Sequence, residues 1–212
     1  KMIDLFCGAG GLSLGFTQEG FVTTLANDIQ DCCVDTYAHN HPETPRDHII
    51  LGNIKDVVNE LDELLDGRSA DIVIGGPPCQ GFSMANRQRL IDDPRNHLYK
   101  SYVEAVKKVQ PKFFVMENVK GMQSVAEQVK DDFRAIGYSV ECHILNAKNF
   151  GVPQNRERLI YIGNCLGIDN EKIFNEIFEL SEKIPEYNLG DALFGLRKLE
   201  ASRVKNSTES GS

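Results

Sequence analysis

Cys79 stands in the stretch Gly75-Gly-Pro-Pro-Cys-Gln-Gly-Phe-Ser83, directly after the apolar run Asp71-Ile-Val-Ile74. β-Branched residues bounded by Gly and Pro mark a buried parallel strand. The thiol therefore falls just past a strand's carboxyl end, the edge at which open α/β sheets bind ligands. Pro77 and Pro78 fix the backbone ahead of it, and Gly81 permits close approach by another molecule. A lone cysteine in a Pro-rich loop is more often structural, but this one has company. Lys112-Phe-Phe-Val-Met116 reads as the next buried strand and delivers Glu117-Asn-Val119 to the same edge. Gln154-Asn-Arg-Glu-Arg158 introduces a further strand, Leu159 to Gly163, and arginines two apart project to one face of an extended segment. By themselves Arg156 and Arg158 read as a solvated basic strand edge. Together with a thiol and a carboxylate they complete a set of nucleophile, proton donor and charged hydrogen-bond donor.

The elements that must position these groups alternate along the chain. Residues 2 to 6 read as a strand and Leu12 to Glu19 as a helix, with the glycine-rich turn Cys7 to Gly11 between them. That arrangement forms nucleotide pockets, because glycines admit the ligand close to the backbone and helix-terminal amides receive its negative groups. A dinucleotide site would need a third glycine where Ser13 stands, so a ligand without a pyrophosphate fits better. A second strand, Val22 to Ala26, ends at Asn27-Asp28. There an acidic residue holds ribose hydroxyls or, as the alternative, caps the helix Ile29 to His39. Helices over Leu98 to Val109 and Val125 to Ile136 and a strand over Tyr138 to Leu145 continue the alternation of a doubly wound α/β sheet. Lys172 to Lys183 reads as an amphipathic helix and Leu189 to Leu193 as a short one. His39-x-His41 lacks the carboxylate or cysteine partners of a metal site, so no metal is expected.

Four motifs, Asp4-Leu-Phe-Cys-Gly-Ala-Gly-Gly11, Gly75 to Ser83, Glu117-Asn-Val119 and Gln154 to Arg158, occur in this order over roughly residues 1 to 165. Together they resemble the cytosine-5 DNA methyltransferase family, of the prokaryotic restriction-modification type. The resemblance implies a class I methyltransferase fold: a Rossmann-like, mostly parallel sheet of seven strands, its last pair antiparallel, with helices on both faces. It implies S-adenosyl-L-methionine as cofactor, S-adenosyl-L-homocysteine as product, and double-stranded DNA as substrate. The cofactor residues so implied are Phe6, Gly8, Ala9, Gly10, Gly11, Leu12, Asp28, Ile29, Asn53, Ile54, Pro77 and Leu98. Two of them depart from the family pattern. Asp28-Ile29 replaces Glu followed by an aromatic residue, and Asn53 replaces an aspartate, keeping an acceptor oxygen but no charge. Catalytic roles fall to Cys79, Glu117, Arg158, Arg156 and Asn118, and substrate contacts to Gln80, Ser83, Arg87 and Arg89. In the implied reaction the Cys79 thiolate adds to carbon 6 of cytosine and Glu117 protonates ring nitrogen 3. Arg158 holds the base's carbonyl oxygen and Asn118 fixes the loop backbone. A duplex hides carbon 6, so the base must flip out, and the loop Gln80 to Asn96 is expected to close over it.

Composition sets the bounds. The chain has 212 residues, 41% apolar and 25% charged, as ordinary globular domains have, with no internal repeat. No apolar run is long enough to cross a bilayer and no leader is apparent, so a cytoplasmic protein without membrane association is expected. Six cysteines without a C-x-x-C pair suggest reduced thiols, neither a zinc ribbon nor a disulfide framework. The net charge of −8 excludes nucleic-acid binding by the whole surface. Around the Cys79 loop, however, Arg87, Arg89, Arg95 and Lys100 outnumber Asp92 and Asp93. Residues 1–165 are expected to form the catalytic core, 166–205 a helical connector toward an absent target recognition domain, and 206–212 a flexible tail. That domain would then lie on a missing C-terminal segment or on a second polypeptide. Two alternatives remain: a half-enzyme subunit inactive without a partner, and the related tRNA cytosine-5 methyltransferases. Against the latter, the chain lacks a Cys-Phe-Thr tripeptide and has Gly81-Phe-Ser83 after the Cys-Gln pair.

Overall fold

The computed structural model describes residues 1–78 and 97–195. Cys79, Gln80, Ser83, Arg87 and Arg89, the expected closing loop and the expected tail lie outside the described residues. The strands are β1 (Met2–Leu5), β2 (Thr23–Asp28), β3 (Ile49–Leu51), β4 (Ile72–Gly75), β5 (Phe113–Val119), β6 (Ser139–Asn146) and β7 (Glu157–Asn164). They make one seven-stranded sheet in the order β3-β2-β1-β4-β5-β7-β6. β7 runs antiparallel to both neighbours, and the other pairings are parallel. This is the α/β sheet that the alternating strands and helices predict, with the antiparallel last pair that the family resemblance implies.

Both faces of the sheet are covered, which is why β1 and β4 are apolar almost throughout and buried at every position. One face packs on α3 (Ile54–Asn59), α4 (Leu61–Leu65), α5 (His97–Val109) and α6 (Ala126–Arg134) around Leu5, Val73, Phe114 and Tyr161. Phe114 stacks on Phe133 with ring centroids 3.9 Å apart. The other face carries α1 (Gly11–Gln18), against Met2, Ile72 and Ile74, and α2 (Asp31–Asn40), against Ala26 and Ile49. On β6, His143 meets Phe174 of α7 (Asn170–Ser181), and α8 (Leu189–Leu193) follows. Gly75 is required where β4 passes β1: a side chain there would meet the Leu5 carbonyl and the Tyr102 ring. The Tyr102 hydroxyl lies 2.9 Å from the Val73 carbonyl and 3.0 Å from that of Val115, on adjacent strands.

Several boundaries differ from those expected. β2 continues two residues past Ala26, because β1 and β3 both offer it ladder partners. β5 likewise runs to Val119, so Glu117 sits inside a strand paired with β7. The helix expected over 125–136 opens as a 3₁₀ turn, Lys120–Val125, and is α-helical only over α6. β3, α3 and α4 occupy a stretch in which the sequence singled out only Asn53 and Ile54.

Candidate active site

Because side chains alternate across a strand, Asp4 of β1 and Glu117 of β5 emerge on the α1 face of the sheet. Arg158 joins them through the antiparallel strand. β7 begins at the edge where the parallel strands end, with Arg158 opposite Val119 and diagonal to Glu117. Its Nε lies 2.6 Å from Glu117 Oε1, and the two side chains keep 27% and 30% of their surface open. A close, charge-assisted pair left partly open can exchange part of its mutual contact for a ligand. Gly76 makes room for it, since a Cβ there would stand 3.0 Å from Glu117 Oε2. Asn118, buried on the opposite face, donates from Nδ2 to the Pro77 carbonyl at 3.1 Å and so ties β5 to the turn that leads toward Cys79.

Two cavities open side by side along this edge. The first, about 640 Å³, is lined by Asp4, Cys7, Gly11 and Leu12 from the β1–α1 segment and by Glu117 of β5 and Arg156 and Arg158 around the start of β7, among others. The second, about 450 Å³, is lined by Asp28, Ile29, Asn53, Ile54, Pro78 and Leu98, among others. Phe6 and Gly76 line both. Phe6 achieves this with a left-handed backbone, φ 59°, a conformation that costs a bulky residue on the order of 1–2 kcal/mol and that marks functional turns. Gly10, with φ 86°, turns the chain into α1, and its carbonyl meets Nε2 of the buried His41, which stacks on Tyr37. His41 is thus part of the turn's scaffold. Among the described residues no cluster suited to a metal ion occurs.

The charge in the second cavity is fixed by backbone. Asp28 Oδ2 accepts from the Gly8 N–H and Oδ1 from the Gln30 N–H, both at 3.0 Å. Asp28 thus faces the cavity and fixes the turn that leads into α2, but the N-cap of α2 is Gln30 and no side chain caps it, so the capping reading of Asp28 does not hold. Asn53 caps α3 through Oδ1, which accepts from the Lys55 N–H at 3.0 Å. Ile29 stays 65% exposed at the rim.

The family model of C-5 cytosine-specific DNA methylases matches residues 1–209. The chain belongs to this family. Among curated relatives, it is 44% identical to the Type II methyltransferase M1.HphI of Haemophilus parahaemolyticus, over 94% of this chain and 53% of that protein. It is 41% identical to M.FnuDI of Fusobacterium nucleatum, over 93% of this chain and 56% of the relative. The chain thus spans about half the length of these two relatives. A crystal structure described as a DNA modification methyltransferase encoded within an E. coli prophage superposes with a TM-score of 0.74 at 29% identity, over 93% of this chain and 55% of the other. Spodoptera frugiperda DNMT2, 23% identical with a TM-score of 0.62, covers 79% of this chain and 50% of its own, and shares the fold.

For a cytosine-specific methylase the donor set of the second cavity fits the adenosine part of S-adenosylmethionine. It offers a fixed carboxylate for vicinal hydroxyls, an exposed isoleucine and a leucine for a flat base, and an amide oxygen for an exocyclic amine. Gly11 and Leu12 line the first cavity, whereas Gly8, Ala9 and Gly10 shape the turn behind them, with the Ala9 carbonyl held by Asn40 at 2.8 Å. Pro77 is buried, and its neighbour Pro78 meets the cavity. Arg156 precedes β7, is exposed, and lines the same cavity as Arg158. Sequence reasoning missed Gln30 and Cys33 in the second cavity and Asp4 in the first. Asp4 did carry a signal, since a carboxylate inside an apolar, two-sided strand is rare without a purpose.

Proposed function

We propose that this chain is the catalytic portion of an enzyme that moves a methyl group from S-adenosylmethionine to carbon 5 of cytosine in duplex DNA. The observation that carries the reading is adjacency: the cavity of Glu117 and Arg158 meets the cavity of Asp28 and Asn53 across Phe6 and Gly76. A base held in one comes within reach of a donor held in the other, as transfer between bound molecules requires. When bound, S-adenosylmethionine supplies an electrophilic methyl on a sulfonium. The Cys79 thiolate adds to carbon 6, which raises electron density at carbon 5. Glu117 holds a proton at ring nitrogen 3, and Arg158, oriented by its contact with Glu117, donates to the base's carbonyl oxygen. Once carbon 5 carries the methyl, a base accepts its proton, the carbon 6–sulfur bond breaks to release the Cys79 thiolate, and the ring is restored. Sequence-specific target reading is assigned to a segment or partner chain beyond these residues, consistent with the half-length match to relatives.

The test is transfer of labelled methyl from S-adenosylmethionine to mixed-sequence duplex DNA and, in parallel, to tRNA, by this chain and its Cys79→Ala variant. Label in DNA that disappears with Cys79→Ala is the expected result. Label in DNA that survives the substitution overturns the covalent route, and label in tRNA alone overturns the DNA assignment. Label that appears only when the remaining half of a relative is supplied in trans identifies the chain as a half-enzyme.

A further inference from the structure

Three carboxylates line the two cavities: Asp28, Glu117 and Asp4. Asp28 is held by two backbone N–H groups and Glu117 by a guanidinium. Asp4 is different. It is 1% exposed, lines the first cavity next to Gly11 and Leu12, and has no cationic partner among the described residues. Its one side-chain contact there is the Ser13 hydroxyl, 2.6 Å from Oδ2. Behind Ser13 stands the Tyr37 hydroxyl at 2.8 Å, and behind that the Thr23 hydroxyl, 3.2 Å farther on. All four residues are buried. With Asp4 ionised, Thr23, Tyr37 and Ser13 all point their protons toward it, and mutually polarised hydroxyls stabilise the charge. With Asp4 protonated, the hydroxyls turn back and no heavy atom moves. The relay therefore serves both protonation states.

We propose that Asp4 is a charge-sensing specificity residue that acts from the first cavity on the methyl's path out of the donor cavity, ionised beside a cationic sulfonium and protonated beside the neutral thioether product. This rests on reading the paired cavities as a donor site and a base site. Phe6 and Gly76 line both cavities, so a methyl passing between them crosses there; Asp4, on β1, stands two residues before Phe6, and its ladder partner Ile74, on β4, stands two before Gly76. Donor and product differ by one methyl and one positive charge. An apolar contact with a methyl discriminates weakly, whereas a buried, unpaired carboxylate responds to the charge. Burial pushes Asp4 up to about 7, the Ser13 hydrogen bond works against that rise, and Asp28 adds to it. The other charged groups lining the cavity are Glu117, Arg156 and Arg158; the thiol of Cys7, also in the lining, and the hydroxyl of Tyr37, buried behind Ser13, are pushed up by burial and stay neutral. Asp4 therefore changes charge near neutrality.

The experiment is calorimetric titration of the full chain with S-adenosylmethionine and, separately, S-adenosylhomocysteine between pH 5.5 and 7.5, in buffers of differing ionisation enthalpy. Donor binding is expected to release a proton and to weaken at least tenfold toward pH 5.5, one decade per pH unit below the carboxyl's own pKa. Product binding is expected to vary by less than about threefold. Asp4→Asn should remove the donor's pH dependence. Ser13→Ala, which keeps the carboxyl but deletes its hydrogen bond, should move the donor's midpoint to higher pH. Equal proton linkage for donor and product, or a pH dependence that survives Asp4→Asn, overturns the role of Asp4 alone. Failure of the unsubstituted chain to bind either ligand overturns the donor-site reading and this inference with it.

Discussion

Arg158 Nε reaches Glu117 Oε1 at 2.6 Å from the neighbouring antiparallel strand, one diagonal step away in the β5–β7 ladder. The pair acts as a unit, because each side chain orients the other toward the same cavity. Arg158→Ala and Glu117→Ala should each lower methyl transfer by about 10² or more. The double variant should fall little below the worse single one, since groups that work together are strongly non-additive. Single-turnover methyl transfer by the four proteins of the cycle measures this, and fully additive losses would show the two acting independently.

Gly76 tests the same pair from the side. A Cβ at this position stands 3.0 Å from Glu117 Oε2, close enough that the carboxylate must shift. The backbone there needs no left-handed conformation. Gly76→Ala should therefore lower transfer by about tenfold or more, as small misplacements of catalytic groups do, while thermal denaturation moves by only a few degrees.

At Gly10 the expectation is reversed, with stability affected first. Its φ of 86° strains any other residue, and a Cβ would run into the buried His41 ring and the Tyr37 ring. Gly10→Ala should cost on the order of 3 kcal/mol by denaturant unfolding, from backbone strain and overpacking together. His41→Ala in the same chain should recover part of the overpacking share and none of the backbone share.

Asp4 makes stability depend on pH in the direction opposite to most carboxylates. Its folded value of about 7 lies above the ordinary 3.8. Between those values the native state holds a proton that the unfolded chain has lost, so stability falls as pH rises from about 4 to about 7 and is level above. Asp4→Asn should flatten that slope and raise stability at pH 8, by about 4 kcal/mol at most, each pKa unit being 1.36 kcal/mol. Denaturant unfolding at pH 5 and pH 8 measures it. A variant destabilised equally at both values would show that the carboxyl contributes packing only.

The alternation of apolar strands and helices, the glycine turn, Asp28, Glu117 and Arg158 were legible because each sits in a short run whose pattern is local. Residues 49–65 were not. β3 has three residues, Ile-Ile-Leu, too few to show a period, and it is a strand because β2 lends it partners. Asn27 reinforces that pairing, donating to the Ile50 and Gly52 carbonyls at 3.0 Å. Nor did a linear reading separate Pro77, buried under Asn118, from Pro78, which meets the cavity.

The sequence by itself determined the family, since residue types and their spacing along a turn are fixed by covalent connection. Tertiary structure decided which groups share a space. Glu117 and Arg158 are 41 residues apart along the chain. They meet only because β7 enters the sheet antiparallel beside β5. Asp4 became a buried, unpaired carboxylate only when α1 and α2 closed over β1 with Ser13 and Tyr37 behind it. Desolvation and cross-strand contact depend on what the fold brings near, and neither is written in any local stretch of the chain.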